Sequence, residues 1–357
     1  MSMLPRLRPR CFYDLVIEIA LVRPGPIVGQ MVHPYLHRRD GIDPVKYPHP
    51  CLEPALKRTL GVPIFQEQLL KIAVSIAGFT GGEAEELRRA MGFKRSEERM
   101  VSIIGRLRDG MTRNQIPPDT QDEVIENIQS FAHYGFPESH SASFALIAYA
   151  SAYLKHHHAA AFLCALLNAQ PMGFYHPATL VKDAQRHGVR VLPISITKSQ
   201  HRCSLEDAST VRLGFSYVRG LNYEAAQKLV TARDNKPFES VREMKQRISL
   251  SSKDWATLSE LGVFAPLGLS RRQAVWQLGK VQRDDPLFQR EEHVPSPAPI
   301  PEMNLQNRVE SDYRNAGFSV GPHPMHFMRT HLNSAGVLYS ALLRQLKHGH
   351  FVEVAGL

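Results

Sequence analysis

Tyr134-Gly135-Phe136-Pro137-Glu138-Ser139-His140-Ser141-Ala142-Ser143-Phe144-Ala145 is the stretch on which the reading of this chain turns. An aromatic–Gly–aromatic turn stands directly before a Ser-His-Ser triplet, and a long Ala- and Leu-rich run follows. Tyr134 and Phe136 can set two rings on one side of a tight turn, a platform on which a base stacks. Ser141 suits the N-cap of the following helix, and the plainer alternative is a capping turn packed by aromatics. A Ser-His hydrolase does not fit, because no G-x-S-x-G elbow is present and neighbouring Ser and His do not make a triad.

Some forty residues upstream lies Leu87-Arg88-Arg89-Ala90-Met91-Gly92-Phe93-Lys94-Arg95. Arginine forks match phosphate oxygens bidentately, lysine adds a point charge, and Gly92 lets backbone approach a bulky ligand. Taken one at a time, these arginines also fit surface ion pairs. Arg23 is a further candidate, held between Val22 and the stiff Pro24-Gly25-Pro26 turn. Together the pieces suit a pocket that holds a triphosphate and stacks a base.

Element by element, the chain reads as mainly α with a small α/β patch. Residues 1–50 are rich in proline, which forbids long helices and favours irregular packed segments. Helical spacing begins at Gln66 and closes at Gly78. Thr80 caps a short helix over Gly82–Met91, with Glu83, Glu85 and Glu86 in its first turn and Arg88 and Arg89 near its end, as the helix dipole favours. Helices follow over 96–112, 120–133 and 141–169, the last expected as a buried core helix. A helix over 176–187 closed by Gly188, strands over 189–194 and 211–215, and short helices over 223–233, 241–248, 253–261 and 271–281 complete the middle. Residues 284–306 carry five prolines and read as a linker. Phe351–Leu357 alternates as the first strand of a β-domain would.

The 357 residues suffice for two or three domains with real cores. No apolar run reaches membrane-spanning length and Met1–Arg10 is no secretory signal, so no membrane partner is expected. The four cysteines are far apart, with no Cys-x-x-Cys pair, which argues for a reducing cytoplasm over a zinc knuckle or disulfide framework. His156-His157-His158 invites a metal reading, but consecutive helical residues point about 100° apart and cannot share an ion. The net charge of +9 is uneven: between residues 161 and 290 there are 19 Lys+Arg against 11 Asp+Glu, so a polyanion is the natural partner there. Within that region Val218-Arg219-Gly220-Leu221-Asn222, followed by a helix carrying Lys228, resembles a helix-hairpin-helix element, whose turn and helix N-terminus offer N–H groups to phosphate. Asn222 stands where the usual motif has a second glycine, and asparagine tolerates the left-handed backbone. A looser copy runs from Leu258–Gly262 to Arg271-Arg272. A small helical bundle without a ligand is the alternative.

Five motifs, Val22-Arg23-Pro24-Gly25-Pro26, Phe65-Gln66-Glu67-Gln68, Leu87-Arg88-Arg89-Ala90-Met91-Gly92, Tyr134-Gly135-Phe136 and Ser139-His140-Ser141, occur in the order found in C-family bacterial replicative DNA polymerases (DnaE-type α subunits). The chain resembles that family, and Met1–Arg10 and Ala169-Gln170-Pro171-Met172-Gly173-Phe174-Tyr175 are similar to its error-prone branch. The resemblance implies helical polymerase fingers over 1–175, an α/β connection over 176–204 and a tandem helix-hairpin-helix module over 205–285. A Pro-rich linker over 286–306 and the start of an OB-fold over 307–357 would complete it. It implies that Arg23, Arg88, Arg89 and Lys94 face the triphosphate of a dNTP, and that Tyr134, Gly135, Phe136, Ser139 and His140 line the nucleotide or template side. Arg219, Gly220, Asn222, Lys228, Arg271 and Arg272 would contact duplex DNA. The β clamp and other error-prone repair proteins are implied as further partners. Family members carry catalytic aspartates that hold Mg2+ in a palm; this chain has no D-x-D pair, so no catalytic or metal residue is assigned and Mg2+ is expected in the full-length enzyme, not here. Template-directed dNTP addition in translesion repair is the implied reaction of the whole enzyme. A non-enzymatic DNA-binding module, or an inactive remnant, is the alternative for this chain alone.

Overall fold

The computed structural model describes residues 3–22, 34–92, 97–132, 136–280 and 300–356, and is mainly helical with one small sheet. It divides into two compact units, Met1–Ala152 and Tyr153–Leu357. The sequence placed the joint at 175/176. The helix over 159–168 turns its apolar side into the core of the second unit.

In the first unit, α1 (Phe12–Leu21) runs through the segment expected to be irregular. The prolines flank this decapeptide and none interrupts it, so Val16, Ile17, Ala20 and Leu21 form a buried stripe. α2 (Gln66–Ala77) ends at Gly78 in the left-handed conformation, as read from sequence. α3 (Gly81–Gly92) starts on a capping box in which the Glu83 N–H donates to Thr80 Oγ1 while Glu83 Oε2 accepts from the Thr80 N–H. α4 (Glu97–Arg113) and α5 (Pro118–Ala132) close a core with α2 and α3 around Leu69, Ile72, Leu87, Leu107, Met111 and Ile128. Gly110 on α4 makes this packing close: a Cβ there would lie 2.2 Å from the Ala77 carbonyl oxygen. A second core gathers Leu7, Val16, Ile17, Tyr35, Ile64, Phe65 and Ala145.

The expected single helix over 141–169 is two. α6 (Glu138–His157) and α7 (Ala159–Asn168) break at His158, and α6 starts three residues before Ser141. Ser141 is therefore no N-cap: it is fully buried, and its hydroxyl donates to the Val16 carbonyl at 2.9 Å. Nor is α6 a core helix, since only Ser141 and Ala145 along it are buried.

In the second unit, α8 (Pro177–Arg186) leads through Gly188 into β1 (Arg190–Leu192). β1 pairs in parallel with β3 (Thr210–Arg212), and β2 (Ser204–Asp207) pairs antiparallel on the other side of β3. The sequence reading missed β2. Its polar run Ser204-Leu205-Glu206-Asp207 is mostly exposed and lacks the apolar signal of a buried strand. α9 (Tyr223–Asn235), α10 (Val241–Arg247), α11 (Ser252–Glu260) and α12 (Arg271–Lys280) pack with the sheet and α7 on one core that includes Leu163, Val191, Val211, Phe215, Leu229, Trp255 and Phe264. α13 (Leu305–Ala316) and α14 (Met325–Ser334) follow. The stretch expected to open a β-domain makes a single parallel bridge, Leu338 with Val354, among the described residues.

Candidate functional site

In the first unit the N-terminus of α2 is a junction for motifs that lie far apart in sequence. Each residue of Phe65-Gln66-Glu67-Gln68 has its own partner. Phe65 is a buried anchor. The Gln66 N–H donates to the Phe136 carbonyl at 3.0 Å, and its side-chain amide reaches the Arg88 carbonyl at 3.4 Å. Glu67 accepts the Glu138 N–H at 2.8 Å. Gln68 bends back to accept the Ile64 and Phe65 N–H groups at 2.8 and 3.0 Å and donates to Thr59 Oγ1 at 2.8 Å. It thus fills the N3 role of a capping box, serving the backbone N–H of the N-cap residue Phe65. The basic block and the segment after residue 135 are both fastened to this one helix end.

Arg88 and Arg89 share one carboxylate. Arg88 grips Glu85 with two bonds of 2.7 Å, and Arg89 reaches it at 3.2 Å. Hydrogen bonding from Arg88 holds the Glu85 carboxyl down at about 2, and Glu85 in turn raises the Arg88 guanidinium. Both pairs are solvent-exposed. An exposed pair of this kind contributes little to stability and exchanges readily for a better anion.

His140 sits between two phenyl rings, 5.1 Å from Phe136 and 4.6 Å from Phe144 between centroids. Phe136 thus pairs with an imidazole from the Ser-His-Ser triplet. Ser139 and His140 are exposed at the start of α6. Two residues that sequence reasoning passed over fix this segment through Glu138. The Tyr13 hydroxyl donates to Glu138 Oε1 at 2.7 Å, while Arg58 lies 3.5 Å over the Tyr13 ring and 3.8 Å from the same oxygen. Burial, then the bond to Glu138, raises the Tyr13 hydroxyl far above its ordinary value. No local signal marks Tyr13 or Arg58, because the contact to Glu138 spans 125 residues from Tyr13. Arg23, Lys94, Tyr134 and Gly135 lie outside the described residues.

The carboxylates around this junction do not form a metal cradle. Glu85 is taken by arginines, Glu83 by the Thr80 cap, Glu67 by the Glu138 N–H, and Glu138 by Tyr13. Among the described residues no three His, Cys, Asp or Glu side chains come together to hold an ion. His156, His157 and His158 are all exposed, and the His157 ring leans on Tyr153 at 4.4 Å.

In the second unit, Gly220 takes φ +84°, and a Cβ there would meet open space. Asn222 does not use the left-handed backbone. It is extended, at φ −78° and ψ 167°, and its side chain accepts the Ala225 N–H at 2.8 Å as the N-cap of α9. One left-handed residue, Gly220, suffices for the turn, and asparagine supplies the cap. The N–H groups of Gly220, Asn222, Tyr223 and Glu224 make no hydrogen bond among the described residues.

The proposed DNA contacts divide. Lys228 is exposed on α9. Arg219 and Arg271 are both tied to α13, Arg219 while remaining exposed. The Arg219 guanidinium donates to the Arg314 carbonyl at 3.1 Å, where positive charge suits a helix C-terminus. Arg271 pairs with Asp312 at 2.8 Å, donates to the Arg308 carbonyl at 2.9 Å and is mostly buried. Arg272 donates to the Pro301 carbonyl. α13 also receives Glu260, whose Oε2 accepts from Asn315 at 2.7 Å. Thus α13 staples both hairpins, a role that sequence spacing could not show.

One helix end in the first unit thus holds both Phe136 and the Arg88 carbonyl, and the second unit carries a hairpin with open N–H groups. Residues 1–115 match the bacterial DNA polymerase III alpha subunit finger domain, and residues 188–274 match a helix-hairpin-helix motif. The chain belongs to the C-family bacterial DNA polymerase III α subunits, in their error-prone branch. It is 47% identical to the error-prone DNA polymerase of Alkalilimnicola ehrlichii over 362 residues, covering all of this chain and 35% of that protein. The error-prone DNA polymerases of Teredinibacter turnerae and Mycobacterium tuberculosis (strain H37Rv) are each 46% identical over all of this chain, which covers 35% and 33% of them. The chain thus spans about a third of the length of the curated relatives it matches.

Proposed function

We propose that this chain is the nucleotide-selecting and duplex-gripping part of an error-prone DNA polymerase that adds dNTPs to a primer in repair synthesis. The observation that carries the reading is the junction at α2, where Gln66 fastens both Phe136 and the Arg88 backbone. Arg88 and Arg89 exchange Glu85 for the triphosphate of an incoming dNTP. The Phe136–His140–Phe144 ring series, with Ser139, lines the base or template side. Chemistry at the primer 3′ oxygen belongs to groups outside the described residues, and Mg2+ enters with those groups. A fluorescent dNTP should bind the purified chain, and Arg88→Ala with Arg89→Ala should weaken binding roughly tenfold or more, since charge-assisted bonds are worth about 1.5–3 kcal/mol. Unchanged affinity in the double variant overturns the site. Primer extension by the chain alone should be undetectable, since its 357 residues hold no D-x-D pair; robust extension by pure protein refutes that.

A second reading, duplex binding by the hairpin module without chemistry, is favoured by the four unpartnered N–H groups at Gly220–Glu224 and by the basic excess of residues 161–290. It predicts duplex affinity that falls with salt at a slope of about −0.9 per phosphate neutralised. Binding that is absent or indifferent to salt removes it. With four unpaired cysteines, the cytoplasm suits either reading.

A further inference from the structure

From His156 to Val181 the chain carries no Asp, Glu, Lys or Arg. Within that run, the loop between α7 and α8 ends in three consecutive rings, Phe174, Tyr175 and His176, all exposed. Phe174 is 99% exposed and Tyr175 59%, and a Cβ on neighbouring Gly173 would meet open space. Both feet of the loop are tied down. Gln170 Oε1 accepts the Met172 N–H at 3.0 Å, and His176 Nδ1 accepts the Ala178 N–H at 3.2 Å as the cap of α8. Asn168 exchanges bonds of 2.9 and 2.8 Å with the backbone of Cys203. The rings are thus held out into water by an anchored loop, and a ligand that takes them has little loop freedom to remove.

We propose, resting on the duplex-binding reading, that Phe174 with Tyr175 stacks an unpaired base of a strand leaving the duplex that the hairpin holds. The Tyr217 hydroxyl donates to the Leu167 carbonyl at 2.8 Å, which ties the foot of the loop to the segment entering the hairpin turn. Loop and hairpin belong to one unit. Followed along the backbone through this bond, Phe174 and Gly220 lie within about 45 Å, no more than roughly 13 base pairs of duplex. Every base has a π-face, and stacking on an aromatic ring asks for no particular sequence. With no carboxylate from His156 to Val181, the loop itself does not repel the phosphates on either side of the base. A protein partner fits less well. Between Leu154 and Leu205, among the described residues, only Phe174 and Tyr175 are exposed large apolar side chains, whereas each side of a protein interface buries roughly 800 Å².

Anisotropy titrations on the full chain compare a labelled blunt duplex with the same duplex carrying a 5′ or a 3′ thymine extension. An extension of at least one polarity should tighten binding about fivefold or more, the low end of what one stacked base supplies. Phe174→Leu should remove that gain and leave the affinity for blunt duplex unchanged. Phe174→Trp should restore it, and the added tryptophan fluorescence should be quenched by the extended substrate only. Equal affinity for blunt and extended duplexes overturns the proposal, as does a gain that survives Phe174→Leu combined with Tyr175→Leu. Loss of affinity for both substrates alike in Phe174→Leu also overturns it, and marks a residue that supports the fold or a protein contact instead. The duplex-binding reading fails separately. If blunt duplex is not bound, the same variants are titrated with a thymine oligonucleotide alone. Phe174-dependent binding then upholds the stacking site, and binding that is absent or indifferent to Phe174 overturns it.

Discussion

Arg39→Leu should destabilise the first unit alone, by about 3 kcal/mol. Arg39 holds Asp14 through two bonds of 2.8 Å and also donates to the carbonyls of Leu7 at 2.8 Å and Arg8 at 3.1 Å. Both partners are largely buried, with side chains 15% and 9% exposed. Removing one partner from such a pair typically costs about 3–5 kcal/mol. The low end applies here, because Asp14 keeps the N–H groups of Arg10 and Cys11 at 2.6 and 3.2 Å. Burial pushes the Asp14 carboxyl up, but Arg39 and those two N–H groups outweigh it and bring the group to about 2 from 3.8. A depressed carboxyl stabilises the fold above its unfolded value and loses that stability as pH falls. The difference is worth about 2 kcal/mol, present above pH 4 and lost towards pH 2. Both tryptophans, Trp255 and Trp276, lie in the second unit, so their fluorescence reports that unit while circular dichroism reports both. In urea, Arg39→Leu should move an early dichroism transition down by roughly 1.5 M, leave the fluorescence transition in place and flatten the acid dependence. A fluorescence midpoint that moves with the dichroism, or a shift below about 0.5 M, refutes the reasoning.

Gly110→Ala should cost about 1–3 kcal/mol in the same dichroism transition, because its methyl group would collide with the Ala77 carbonyl. Arg271→Leu should lower the fluorescence-detected stability by about 3 kcal/mol, through loss of Asp312, with the salt slope of duplex binding unchanged. Lys228→Ala should do the reverse, reducing that slope by about 0.9 at unchanged stability, as anisotropy titrations over a salt series will show. Gly220→Ala, forced to hold φ +84°, should cost about 1 kcal/mol and weaken duplex binding by displacing the open N–H groups.

Much of the helical order was legible because its signals are local. The Thr80–Glu83 box, the stop at Gly78 and the turn at Gly188 need only neighbouring residues, and each falls where the pattern placed it. Two of the errors come from averaging composition over a segment. Proline density in residues 1–50 was averaged over the segment, and this hid the uninterrupted decapeptide of α1. Apolar density in residues 141–169 was read as burial. In fact α7 joins the second core while the exposed part of α6 does not.

The sequence by itself determined the family, the kinds of element and the residue types at the site, because ordered motifs and helical periods are properties of the chain as written. Only the tertiary structure decided which side chains are available. It fastened Arg88 and Phe136 to one helix end, and gave Glu138 to Tyr13 and Arg58. It tied Arg219 and Arg271 to carbonyl and carboxylate acceptors on α13 and left Lys228 exposed. A guanidinium fits phosphate, carboxylate and helix carbonyls alike, so its role depends on which acceptor the fold brings within 3 Å.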